Sequence, residues 1–178
     1  MLSGNELIAE ANPTTLELAV PSPISFQEAE RASKNYLGFQ EHQYPSCFVC
    51  GPKRETKDGL RIFPGPVPGK NLVAAPWIPD ETLGDRRGWV RREFIWAALD
   101  CPGAFAAMTD HFPILLLGTL TAEVEKNMRV GDRAVILGWS LGSEGRKLFV
   151  GSAVYSETGA LLAKAKGVWI LSKATTLR

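Results

Sequence analysis

Residues 90–108 read VRREFIWAALDCPGAFAAM, and from Phe94 to Met108 nearly every position is apolar or small. A helix apolar on all its faces belongs inside a fold, not on its surface. Asp100 stands in the middle of this stretch. A carboxylate taken out of water costs several kcal/mol, on the order of the penalty for any buried ion, unless it is partnered or neutralised. Glu93 precedes it by seven residues, a spacing that returns to within about 20° of the same helix face. The expectation is one buried helix carrying two carboxylates in line. Pro102 lacks an N–H and clashes with the carbonyl four residues back, so a kink or break is expected beside Asp100.

Beyond this helix the hydrophobic period becomes two. Residues 115–126, 133–142, 147–156 and 161–172 each read as a strand, separated by MRVGD, SEGR and ETGA, which suit short hairpin turns. Alternate positions in 149–156 are partly apolar on both sides, so strands covered on both faces are expected. A contiguous four-stranded antiparallel meander follows from the tendency of sequential strands to pair.

Before the helix, residues 59–63 and 71–77 flank GPVPG and read as a strand hairpin. Ser25 and Glu28 have capping-box spacing at the head of FQEAERASKNYLGF, which predicts a surface helix ended by Gly38. Residues 16–20 suggest a short strand. The expected organisation is a single compact domain, with an arm and surface helix over 1–46 and the main body over 47–178. Its class is α+β, a curved antiparallel sheet of about five to six strands wrapped around one long central helix.

A chain of 178 residues buries roughly 70% of its unfolded surface as one domain. Its 20 basic and 19 acidic residues leave a formal charge of +1, which supplies no general attraction to nucleic acid or to an anionic membrane. No leader-like or membrane-spanning run is visible, so a cytoplasmic location is expected. Three cysteines are too few for a disulfide framework.

The order of elements, with Ala98, Leu99 and Asp100 on the helix and the openings CFVCGP and DGLRIF, resembles the hot dog fold of the acyl-thioesterase superfamily. Within it, the chain is similar to a divergent member of the phenylacetate-pathway-like acyl-CoA thioesterase branch. The resemblance spans roughly residues 47–173 and implies Asp100 as the catalytic acid, a site shared between subunits, and self-association as a homodimer or dimer of dimers. Arg91, Arg92 and Glu93 stand where that branch carries His-Gly-Gly, and GPKRETKDG lacks its loop asparagine. Arginine side chains there remove the clearance that glycines give a thioester carbonyl.

Asp100 then has two readings: a base or nucleophile tuned by burial, or a structural acid that caps the restarting helix or accepts from neighbouring strands. Glu93 is the second catalytic candidate, its alternative being simple complementarity to the helix dipole. Arg91 and Arg92, with Arg86 and Arg87, place cations at a helix start and suit the phosphates of coenzyme A. Trp96 and Trp89 are candidate ligand contacts, although tryptophans are more often core anchors. Cys47 and Cys50 make one knuckle, but Cys101, His42 and His111 supply no second recognisable pair, so no metal is expected and the loop is read as packing. The histidines suggest no dehydratase motif, which favours hydrolysis. The expected function is hydrolysis of an acyl-CoA or acyl-carrier-protein thioester, with no cofactor beyond coenzyme A as part of the substrate. The alternative is a non-catalytic hot dog protein that binds an acyl or aromatic ligand.

Overall fold

The computed structural model describes residues 1–4, 6–108 and 114–173; His111 lies outside them. Strands β1 (Leu2–Ser3) and β2 (Glu6–Leu7) form a small separate hairpin, followed by helix α1 (Phe26–Ser33). The capping box is made as expected: Ser25 Oγ accepts from the Glu28 N–H, and Glu28 accepts from the Ser25 N–H. Residues 16–20 form no strand, but Leu18 and Val20 pack against the same apolar cluster as α1.

The main sheet contains β3 (Gly65–Pro66), β4 (Val73–Trp77), β5 (Leu115–Val124), β6 (Ala134–Glu144), β7 (Lys147–Ser156) and β8 (Leu161–Leu171). Their order is β3-β4-β6-β7-β8-β5, antiparallel throughout. The last four strands are contiguous, as the period-two pattern implies, yet they are not a sequential meander. β5 pairs with β8 at the sheet edge, and residues 125–133 cross back to β6. Buried Met128 fixes this crossing: its carbonyl accepts the Val90 N–H just ahead of the central helices.

The first hairpin is also displaced from its expected position. Residues 59–63 lie outside the sheet, because Arg61 adopts φ 53°, which breaks the pleat. Leu60 and Ile62 instead donate to the carbonyls of Phe48 and Val49.

Strand parity divides the core in two. Ala75, Trp77, Ile136, Val154 and Ala163 turn inward against Ile95, Ala98 and Leu99. Ala74, Val135, Leu137, Ala153 and Tyr155 turn outward beneath Phe26, Ala29 and Ala32 of α1. The sheet is therefore covered on both faces. Phe26 alone contributes about 1.5–3 kcal/mol by its burial, and Tyr155 Oη ties the arm down by donating to the Pro21 carbonyl at 2.6 Å.

The expected single long helix is two short ones, α2 (Arg92–Ala98) and α3 (Cys101–Ala107). The break falls at Leu99 and Asp100, where the proline chemistry places it. Together the elements form an α+β architecture, a six-stranded antiparallel sheet around a broken central helix, consistent with a hot dog fold.

Candidate functional site

The helix break is held open by three local features. Pro102 offers no N–H to the Ala98 carbonyl, and Leu99 and Asp100 donate to Trp96 and Ala97 in tight three-residue turns, each at 3.1 Å. The Leu99 carbonyl is taken by the buried Ser152 hydroxyl on β7. The start of α3 then lies directly on the sheet, since a Cβ at Gly138 would sit 2.2 Å from the Pro102 carbonyl oxygen.

Asp100 is thereby fixed at the junction. Its side chain does not cap α3, and its buried Oδ1 has no hydrogen-bond partner among the described residues. These observations remove the capping alternative for this acid. Burial, followed by the nearby charge of Cys47, pushes its carboxyl up to about 6.

Against this junction sits the loop bearing Cys47 and Cys50. It is wound tightly: Gly51 donates to the Cys47 carbonyl at 2.9 Å, and a Cβ at Gly51 would approach Cys47 backbone atoms to 2.5 Å. Leu60 and Ile62 brace it from one side, and Tyr36 Oη donates to the Cys50 carbonyl at 2.9 Å from the other. Cys101, at the first turn of α3, completes a cluster whose three sulfurs lie within 4.8 Å of one another, Cys47 and Cys101 being 3.7 Å apart.

The three thiols are electrostatically unequal. Hydrogen bonds from Cys101 and Cys50, then from the backbone of Cys50 and Val49, lower the Cys47 thiol far below its usual range. Cys101 is held well above its own, by its hydrogen bonds to Cys47 and Cys50 and by burial. His42 Nδ1 accepts the Tyr44 N–H at 2.9 Å, while Nε2 lies 3.4 Å from Cys50 Sγ. Burial lowers the histidine, favouring the neutral ring. In that ring the proton belongs on Nε2, on the side facing Cys50.

These groups line a cavity of about 210 Å³, walled by His42, Tyr44, Phe105 and Trp169 and by the apolar run 115–117 on β5. A bulge between Leu117 and Thr119 bends that edge strand beside the cavity. Trp169 Nε1, like Asp100 Oδ1, is buried without a partner among the described residues. Both residues line this mostly apolar pocket. A larger cleft of about 560 Å³ shares Phe105 and Met108 with it, but among the described residues Lys70 is the only ionisable one along its walls.

The other residues singled out from the sequence lie elsewhere. Glu93 is exposed and pairs with Arg91 at 3.6 Å, so the two carboxylates are not in line on one buried face. Arg91 also covers the Phe94 ring, Arg92 donates to the Val124 carbonyl at 3.0 Å, and Trp89 lies beneath Arg129. Trp96 is 40% exposed. None of these five lines the cavity that contains Asp100. Asp100 is joined there by Cys47, Cys50, Cys101, His42, Tyr44 and Trp169; of these the Cys-x-x-Cys pair, Cys101 and His42 were weighed from the sequence only as metal ligands, and nothing in the sequence brings the set together with Asp100.

Neither a protein-family model nor a curated protein matches the chain. Solved structures do. An uncharacterised protein from Pyrococcus horikoshii is 18% identical, with 64% of this chain and 84% of that chain covered and a TM-score of 0.55. A Streptococcus mutans protein solved bound to acetyl CoA is 14% identical, with 58% and 82% covered and a TM-score of 0.53. Zebra fish thioesterase superfamily member 2 is 14% identical, with 57% and 75% covered and a TM-score of 0.52. At such identities the likeness is one of fold: the chain carries the hot dog architecture found among proteins of the thioesterase superfamily.

Proposed function

We propose that this protein hydrolyses an acyl thioester of coenzyme A or of a carrier protein. The observation that carries the reading is Asp100 at the helix break, lining an apolar cavity together with Trp169, its buried Oδ1 and the Trp169 N–H both without a partner among the described residues. A thioester bound there brings what each group lacks: a carbonyl oxygen to accept from Trp169 and a water to donate to Asp100. Asp100 takes a proton from that water, and the oxygen adds to the thioester carbon. The tetrahedral intermediate then expels the thiolate, which leaves as thiol with the proton, freeing the carboxylic acid.

That one similar fold was solved with acetyl CoA supports coenzyme A as the carrier. Arg91 and Arg92, exposed outside the cavity, are proposed contacts for the carrier's phosphates, with Trp89 and Trp96 flanking them. Glu93 is the second carboxylate to test. A homodimer is proposed through the β5 edge, where Leu116 and Leu117 are exposed beside the cavity. The second reading, a binding protein without turnover, is favoured by the charged Arg91, Arg92 and Glu93 at the start of α2, where a carbonyl clamp needs clearance.

The test is thiol release from short, long, branched and aromatic acyl-CoA esters, followed with a thiol-reactive dye. Turnover lost in Asp100→Asn but kept in Glu93→Gln, both folded, is the expected result. Saturable binding with no turnover on any ester would establish the second reading instead.

A further inference from the structure

We propose that Cys47, Cys50 and Cys101 form a binding site for a soft divalent cation of the zinc class, held by three thiolates with its fourth position reached from the cavity. Tetrahedral zinc with Zn–S bonds of about 2.3 Å sets neighbouring sulfurs about 3.8 Å apart. Cys47 and Cys101 are separated by 3.7 Å, and Cys50 completes a triangle whose sides are all within 4.8 Å. A disulfide would require a bond of about 2.05 Å and would leave the third sulfur unused. Three buried or half-buried thiols converge on one point, and a thiol is a weaker partner for a sulfur than a soft cation is. A cation gives all three a common partner.

The surroundings suit thiolates. The His42 ring borders the cluster, with Nε2 3.4 Å from Cys50 Sγ. Outer groups of this kind orient ligand sulfurs and disperse their charge around a metal. Because Nδ1 already accepts the Tyr44 N–H, His42 serves as an outer donor and not as the fourth ligand. All three cysteines line the cavity that contains Asp100, the side from which a water would take the remaining position. Such a site combines two cysteines of one tightly wound loop with a third brought by the broken helix, and it stands independently of any hydrolytic activity.

The experiment measures metal on the full chain, purified without chelator and incubated with Zn²⁺ before desalting. About one zinc per chain is expected by elemental analysis, with the thiols shielded from a thiol-reactive dye until a strong chelator is added. Loading with Co²⁺ should give a near-ultraviolet thiolate-to-metal charge-transfer band. Cys47→Ser, at a half-buried position, should lose the band and the bound zinc while keeping the native circular dichroism. Should Cys101→Ser fail to fold, the wild-type dye titration and the Cys47→Ser protein still decide the matter. A folded wild-type chain that takes up neither ion, or one whose mass shows an oxidised cysteine pair, overturns the proposal. Acyl-CoA turnover plays no part in the readout, so hydrolysis and metal binding can fail separately.

Discussion

The hydroxyl of Ser152, buried on the inner face of β7, donates to the Leu99 carbonyl at 2.5 Å and so satisfies the acceptor that the helix break exposes. Ser152→Ala leaves that carbonyl buried and unpaired. The expected loss is about 1–3 kcal/mol of folding stability, read as a lower urea midpoint with an unchanged slope. An unchanged midpoint would mean that the break does not rely on β7.

Gly138 is the second support. A methyl group there meets the Pro102 carbonyl oxygen at 2.2 Å and its carbon at 2.4 Å, both backbone atoms that cannot rotate aside. Gly138→Ala should therefore cost at least about 1–3 kcal/mol, lowering the thermal midpoint, and should disturb the Asp100 junction more than the distant α1.

Trp169→Phe separates a functional donor from a structural one. Its Nε1 has no partner among the described residues, so the stability lost should come from the smaller ring in a buried position alone, on the order of 1–3 kcal/mol. If the group holds a thioester carbonyl, turnover should fall by at least about tenfold. Equal activity in the two proteins would remove Trp169 from the mechanism.

The α1 capping box makes a pH-dependent prediction. Hydrogen bonds from the Ser25 side chain and then its backbone hold the Glu28 carboxyl below its usual range. A depressed carboxyl contributes stability above the unfolded value, near about pH 4.3, and loses it as pH falls through the folded value. The stability gap between wild type and Glu28→Ala should be larger at neutral pH than in acid. Ser25→Ala, which removes the cap itself, should cost about 1 kcal/mol at neutral pH. Denaturant titrations across the acid range check both.

Which features were legible in the sequence follows from the range of the forces behind them. The capping box, the break at Pro102 and the extents of β6, β7 and β8 depend on neighbours a few residues away, and they appear where those patterns put them. The partner of β5 is different, because a period of two says that a strand is half-buried and nothing about which edge it joins. Residues 59–63 misled because the alternation gives no sign of a positive φ at Arg61. The alignment of Glu93 with Asp100 assumed an unbroken helix, and the same Pro102 that marks the break invalidates it. Within the candidate site Asp100 stood out as an acid in an apolar run. Cys47 and Cys101 lie 54 positions apart and meet only through tertiary packing.

The wall formed by His42 and Tyr44 belongs to a coil laid over the sheet and the broken helix. Coil tolerates substitution and insertion far better than the elements it crosses. Substitution at Tyr44 can therefore reshape this wall around a stationary carboxylate, changing which molecules fit while leaving the frame intact. A protein begun at residue 47 would keep Asp100 and all three sulfurs but would surrender that adjustable side of the chamber.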